Sequence, residues 1–142
     1  MAELDLLKDI IERSNGLWES GQHHDALRLL DACIADARQE KRDPWIAILG
    51  MHASVISESV GDLGLVVRYC EQVLACEPEN ALALFQLADV LFQQHQTALA
   101  KEYAAKSYAL VLNSNTVFDR GLAELLIVKW PEVREWMKED SR

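Results

Sequence analysis

Apolar residues recur at helical spacing along nearly the whole chain. Leu4, Leu7, Ile11, Leu17 and Trp18 mark one face of a first helix, with Gly21 as its stop signal. Ala26, Leu29, Leu30, Cys33, Ile34 and Ala37 form a second stripe, which the charged run from Gln39 to Asp43 ends. Asp43-Pro44 reads as an N-cap followed by a proline at the first helical position, opening a third helix that runs to about Ser59 and stops at Gly61. Asp62 caps a fourth helix, carrying Leu65, Val66, Tyr69, Val73 and Leu74 and ending before Pro78. Asn80 opens a fifth (Leu82, Phe85, Leu87, Leu91), and Gln94-His95-Gln96 separates it from a sixth (Leu99, Tyr103, Ala104, Tyr108, Leu112). After the polar loop Asn113-Ser114-Asn115 a seventh helix reaches about Lys129, and Pro131 starts a short eighth. Val66-Val67 and Ile127-Val128 are too short for strands and sit inside helical periods. Short connections between eight helices favour antiparallel hairpins.

The hairpins repeat. A shift of 34 residues lays Gly61-Asp62 on His95-Gln96, Ser54 on Ala88, Val66 on Ala100, Cys70 on Ala104 and Val73 on Ser107. Leu84, Leu87, Ala88, Leu91 and Ala100 follow a large, large, small, large, small order. In this period and spacing the chain resembles the tetratricopeptide repeat family. The resemblance extends more loosely to Leu17, Gly21, Ala26, Leu30 and Cys33, where the repeat is about six residues longer, and weakly to Phe118, Leu122 and Leu125. It implies an all-α fold: an α-α superhelical solenoid of about three tetratricopeptide-like hairpins plus a C-terminal capping hairpin. As one domain over 1–142, the hairpins fall at approximately 3–40, 44–77 and 80–112, with the cap at 115–140.

Composition narrows the function classes. With 50% hydrophobic residues the 142-residue chain can bury a core, and six Gly and three Pro are too few for a sandwich or barrel. A net charge of −9 argues against nucleic acid or an anionic membrane as partner. Residues 47–112 hold seven acids against three bases, and 113–142 hold six against five, so the negative field concentrates on the repeats. Three cysteines form no disulfide framework. The acidic N-terminal stretch has no leader character, no run is long enough to span a bilayer, and a cytoplasmic location is expected.

Chemistry is sparse. His23 and His24 are neighbours pointing about 100° apart on a helix, and His52 and His95 stand alone, so no metal site is expected. Cys70 and Cys76 have neither a redox nor a zinc spacing. The carboxylates follow solvated helix faces, and Gly61-Asp62-Leu63-Gly64 lacks the Lys-Ser or Lys-Thr of a phosphate loop. No enzyme activity and no cofactor are expected.

A binding groove fits better. The resemblance implies that the first helix of each hairpin lines a concave surface, which places Lys8, Ile11, Asn15, Trp18, Ile48, Met51, His52, Val55, Leu82, Phe85, Gln86, Asp89 and Phe92 there. One subfamily grips a partner's C-terminal carboxylate with Lys, Arg and Asn; only Asn15 matches, so that clamp is not expected. The groove is instead apolar, suited to a protein or peptide segment with neutral or basic flanks. The expected function is a small adaptor or scaffold, with a dedicated chaperone shielding an apolar client segment as the alternative. Trp130, Trp136 and Met137 are expected either to cap the array or to pair two copies of the chain as a homodimer.

Overall fold

The computed structural model describes residues 2–140, with side chains for 4–139. Eight helices follow one another: α1 (Ala2–Glu19), α2 (His23–Gln39), α3 (Asp43–Ser59), α4 (Leu63–Cys76), α5 (Ala81–Gln93), α6 (Thr97–Val111), α7 (Val117–Lys129) and α8 (Val133–Asp140). Among the described residues there is no strand.

Local chemistry sets the ends. Asp62 and Asn80 cap α4 and α5, their side chains accepting from Leu65 N and Ala83 N, and Thr116 caps α7 by accepting from Asp119 N. The third helix departs slightly from expectation, because Asp43 already lies inside α3 and Arg42 occupies the cap position. Four turns between successive helices share one Schellman pattern. At Gly21, Lys41, Gly61 and His95 the chain enters the left-handed region, and the following N–H reaches back to a carbonyl five residues earlier. Two of the four carry a side chain where glycine has no steric cost.

The chain divides into two compact units, Met1–Glu77 and Pro78–Arg142. In the first, Ile10, Ala26, Leu30, Ile34, Leu49, Ala53, Ile56 and Tyr69 form the core. The small-residue rule is visible where α3 meets α4. A Cβ added to Gly50 would stand 2.6 Å from Val73 Cγ2, a buried, β-branched side chain with little freedom to move. The Tyr69 hydroxyl ties α4 to α2 by donating to Asp31 Oδ1 at 2.6 Å, and burial together with that carboxylate pushes its pKa up. Ser54 and Cys70 meet in the interior at 3.5 Å, and burial pushes the Cys70 thiol up to about 11. Cys70 is therefore an inert core thiol.

In the second unit α5 and α6 pair through Ala83, Leu87, Ala88, Ala100, Ala104 and Ala105, all buried. Ser107 Oγ donates to Ala81 O at 2.8 Å across that hairpin. The last two helices do not simply repeat this pairing. α8 packs mainly on α6, with Val133 fully buried and Arg134 Nε donating to Tyr108 Oη at 3.0 Å.

Candidate partner-binding surface

In the first unit the surface is built from α1 and α3. Ser14 is buried, and its hydroxyl donates to Ile11 O at 2.9 Å. That hydroxyl proton is then spent, so the 3.1 Å contact to His52 Nε2 assigns the imidazole proton to Nε2, which donates to Ser14 Oγ. The His52 ring also meets Trp18 edge-on, with centroids 6.5 Å apart. Burial holds the His52 pKa below its usual value, which keeps the ring neutral at pH 7. Ser14, Trp18 and His52 thus lock α1 to α3 through one polar link and one aromatic contact.

Beside this lock α3 shows an open apolar edge. Ile48, His52 and Val55 follow i, i+4, i+7 and share one face, with Ile48 46% and Val55 41% exposed. Ile11, Asn15 and Trp18 are half-buried along α1. Met51, expected on the same surface, lies at the edge of that stripe away from His52 and is only 8% exposed, so it adds no open surface. The face is therefore Trp18, Ile48, His52 and Val55, flanked by Ile11 and Asn15.

The corresponding residues of the second unit are covered. Trp130 stacks obliquely on both Phe85 (centroids 5.4 Å) and Phe92 (5.1 Å), and Trp136 packs on Phe92 at 5.7 Å. Lys101 approaches the other aromatic neighbour, with its Nζ 5.6 Å from the Trp136 ring centroid. Asp89, expected as a lone groove charge, is paired to Lys129 Nζ at 3.2 Å and is largely buried. Met137 lines a shallow cavity with Leu84, Ala105 and Leu110. Phe85, Asp89 and Phe92 therefore do not form an open groove, and Trp130, Trp136 and Met137 are engaged within their own chain. The lid comes from the C-terminal hairpin, which offers two tryptophans and a lysine at the spacing needed to cover one α5 face. Gln86 is buried as well, and Leu82 packs against the same cluster.

The first unit also holds a cavity of about 440 Å³ between α1, α2 and the start of α3, lined by Leu6, Ile10, Leu29, Cys33 and Trp45 among others. Its rim mixes Arg13 and Arg42 with Asp36 and Glu40, so it presents no single charge. Sequence periodicity gives no sign of it, because its lining is drawn from three separate helices. Among the described residues no three His, Cys, Asp or Glu side chains converge to hold a metal ion, and no helix is long and apolar enough to cross a membrane.

Comparison with known proteins agrees with this architecture. The family profile described as tetratricopeptide repeat matches residues 69–102, the end of α4 through α5 into α6. No curated protein sequence matches the chain. Among solved structures, the Yersinia enterocolitica type III secretion translocator chaperone SycD is similar, with a TM-score of 0.72 at 14% identity over 88% of this chain and 87% of that one. A second structure of SycD, described as an alternative dimer, gives 0.63 at 17% identity over 88% and 94%. The chain thus carries a tetratricopeptide repeat within an all-helical fold of the kind seen in that chaperone.

Proposed function

We propose that this protein is a protein-binding module whose first unit holds an apolar segment of a partner on the face formed by Trp18, Ile48, His52 and Val55. The single observation that carries the reading is the exposure of Ile48 and Val55 beside a rigid Trp18–His52 pair. Rigid aromatics flanked by exposed aliphatic side chains are what a buried anchor residue of a partner requires. The first unit holds fourteen acids against seven bases, a net −7, whereas the second holds nine against seven, a net −2. That field favours a segment with neutral or basic flanks and disfavours nucleic acid and anionic membranes.

The fold likeness to a translocator chaperone favours client shielding over scaffolding as the form this binding takes. A cytoplasmic setting suits a chain whose Cys33, Cys70 and Cys76 are all free thiols. No catalytic role and no cofactor are proposed.

The test is Ile48→Asp/Val55→Asp, followed by affinity purification from the native host and mass spectrometry. Both side chains are exposed, so helicity and Tm should hold while the captured partner falls by tenfold or more. One abundant client supports the chaperone form, and a multi-protein assembly supports the adaptor form. Undiminished capture by the double variant contradicts the assignment of the face.

A further inference from the structure

The outer face of α7 is apolar without a counterpart in its own chain. Val117, Gly121, Leu125 and Val128 follow i, i+4, i+8, i+11 and share one face, with Phe118 beside them. Val117 at 87% and Val128 at 77% are the most exposed large apolar side chains among the described residues, and Phe118 and Leu125 are also exposed. The buried side of α7 uses Leu122 and Leu126, so this second stripe is surplus to folding.

Two independent observations indicate what covers it. Gly121 stands in mid-helix, at the centre of the stripe, and a Cβ there would meet nothing within 4 Å. A glycine in a helix lowers its stability. No contact within the chain requires this one, whereas the close approach of another backbone would. The second observation is charge. Within the helix Asp119 and Glu124 balance Arg120 and Lys129, so α7 is neutral in a chain of net charge −9. Asp119 accepts from Ser114 and Lys129 pairs with Asp89, leaving Arg120 and Glu124, both exposed and without an ion-pair partner among the described residues. Their order, Arg four residues before Glu, is the weaker arrangement for a pair within one helix.

We propose that the α7 face docks on the α7 of a second copy of this chain, antiparallel, about a two-fold axis at the level of Leu122. In that register Arg120 of each copy lies opposite Glu124 of the other, and the two flank the stripe on the same side. Gly121 sits next to the axis, where the helices come closest. A two-fold interface must be self-complementary, and this pair of opposite charges four residues apart satisfies that condition. Because the interface is one helix long, it falls toward the low end of specific interface sizes, ~1,200 Å² or less, and the dimer forms in the micromolar range. The contact is independent of the α1–α3 face, so Ile48→Asp/Val55→Asp leaves it intact.

Sedimentation equilibrium of the full chain from roughly 1 to 200 µM tests this. The weight-average mass should rise from 16.0 kDa toward twice that value with concentration. Phe118→Glu/Val128→Glu should remain monomeric throughout with an unchanged Tm, since both positions are exposed. Gly121→Gln should raise Tm yet weaken the dimer at least tenfold, a combination that a purely structural glycine would not give. Arg120→Glu and Glu124→Arg should each weaken the dimer, and combining them should restore it. A wild-type chain monomeric at every concentration overturns the proposal and leaves the face for some other partner. Dimerisation that survives Phe118→Glu/Val128→Glu overturns it by placing the contact elsewhere, and failure of the charge swap to restore association overturns the antiparallel register.

Discussion

The α3 face of the first unit and the α5 face of the second occupy corresponding places in their hairpins, yet one is open and the other closed. On α3, Ile48 and Val55 remain exposed beside Trp18 and His52. On α5, Phe85 and Phe92 lie beneath Trp130 and Trp136, and Asp89 is neutralised by Lys129. The difference does not come from the helices that carry the faces. It comes from the C-terminal hairpin, whose aromatic side chains fill one surface. A repeat position thus decides where a side chain points, while the neighbouring element decides whether that surface is available.

The largest effect expected from breaking this contrast is at the lid. Trp130→Ala removes the ring that contacts both Phe85 and Phe92 and should cost about 2–4 kcal/mol, the ring being half-buried, read as a lowered urea midpoint. A loss below about 0.5 kcal/mol would mean that the lid is not part of the fold. A smaller effect separates the turns of the two units. His95 sits 34 residues after Gly61, in the same left-handed conformation but with a side chain. His95→Gly should therefore stabilise by roughly 0.5–1 kcal/mol, offset in part by the added freedom of the unfolded chain.

The smallest effect concerns the lock beneath the open face. Burial lowers the His52 pKa in the folded chain, so the unfolded chain takes up the proton first as pH falls. Above the unfolded value of about 6.5 the ring is neutral in both states and costs nothing. As pH falls from there towards the depressed folded value, stability should decline, and the decline should level off below it. His52→Gln should remove that part of the pH dependence, measured as the slope of unfolding free energy between about pH 6.5 and 5. An unchanged slope would place His52 in solvent and loosen the described link to Ser14.

Much of the fold was legible in the sequence. The helix order, the stops at Gly21 and Gly61, the caps at Asp62 and Asn80 and the helical pairing of small residues all follow from local chemistry that the chain states openly. The cap at Thr116 and the start of α3 were less visible, because several polar residues there compete for one position. The site was only half legible. The family resemblance placed Phe85, Asp89 and Phe92 on one face, and periodicity placed Trp130 and Trp136 on another element, but neither carries information about which faces meet. Met51 shows the same gap at smaller scale: it is spaced with Ile48 and Val55 on one stripe, but spacing does not say which edge of a stripe is covered, and Met51 is buried. The exposed stripe on α7 was missed because Val117, Leu125 and Val128 look like ordinary core residues until the structure shows that Leu122 and Leu126 already fill that role.

Site-specific photocrosslinking in the native host tests the central contrast most directly. A benzophenone side chain is placed at Val55 in one variant and at Phe85 in another, and the products are identified by mass spectrometry. The account predicts that position 55 crosslinks to a separate protein, whereas position 85 crosslinks within the chain to the segment around Trp130. Intermolecular capture from position 85 with none from position 55 would contradict it.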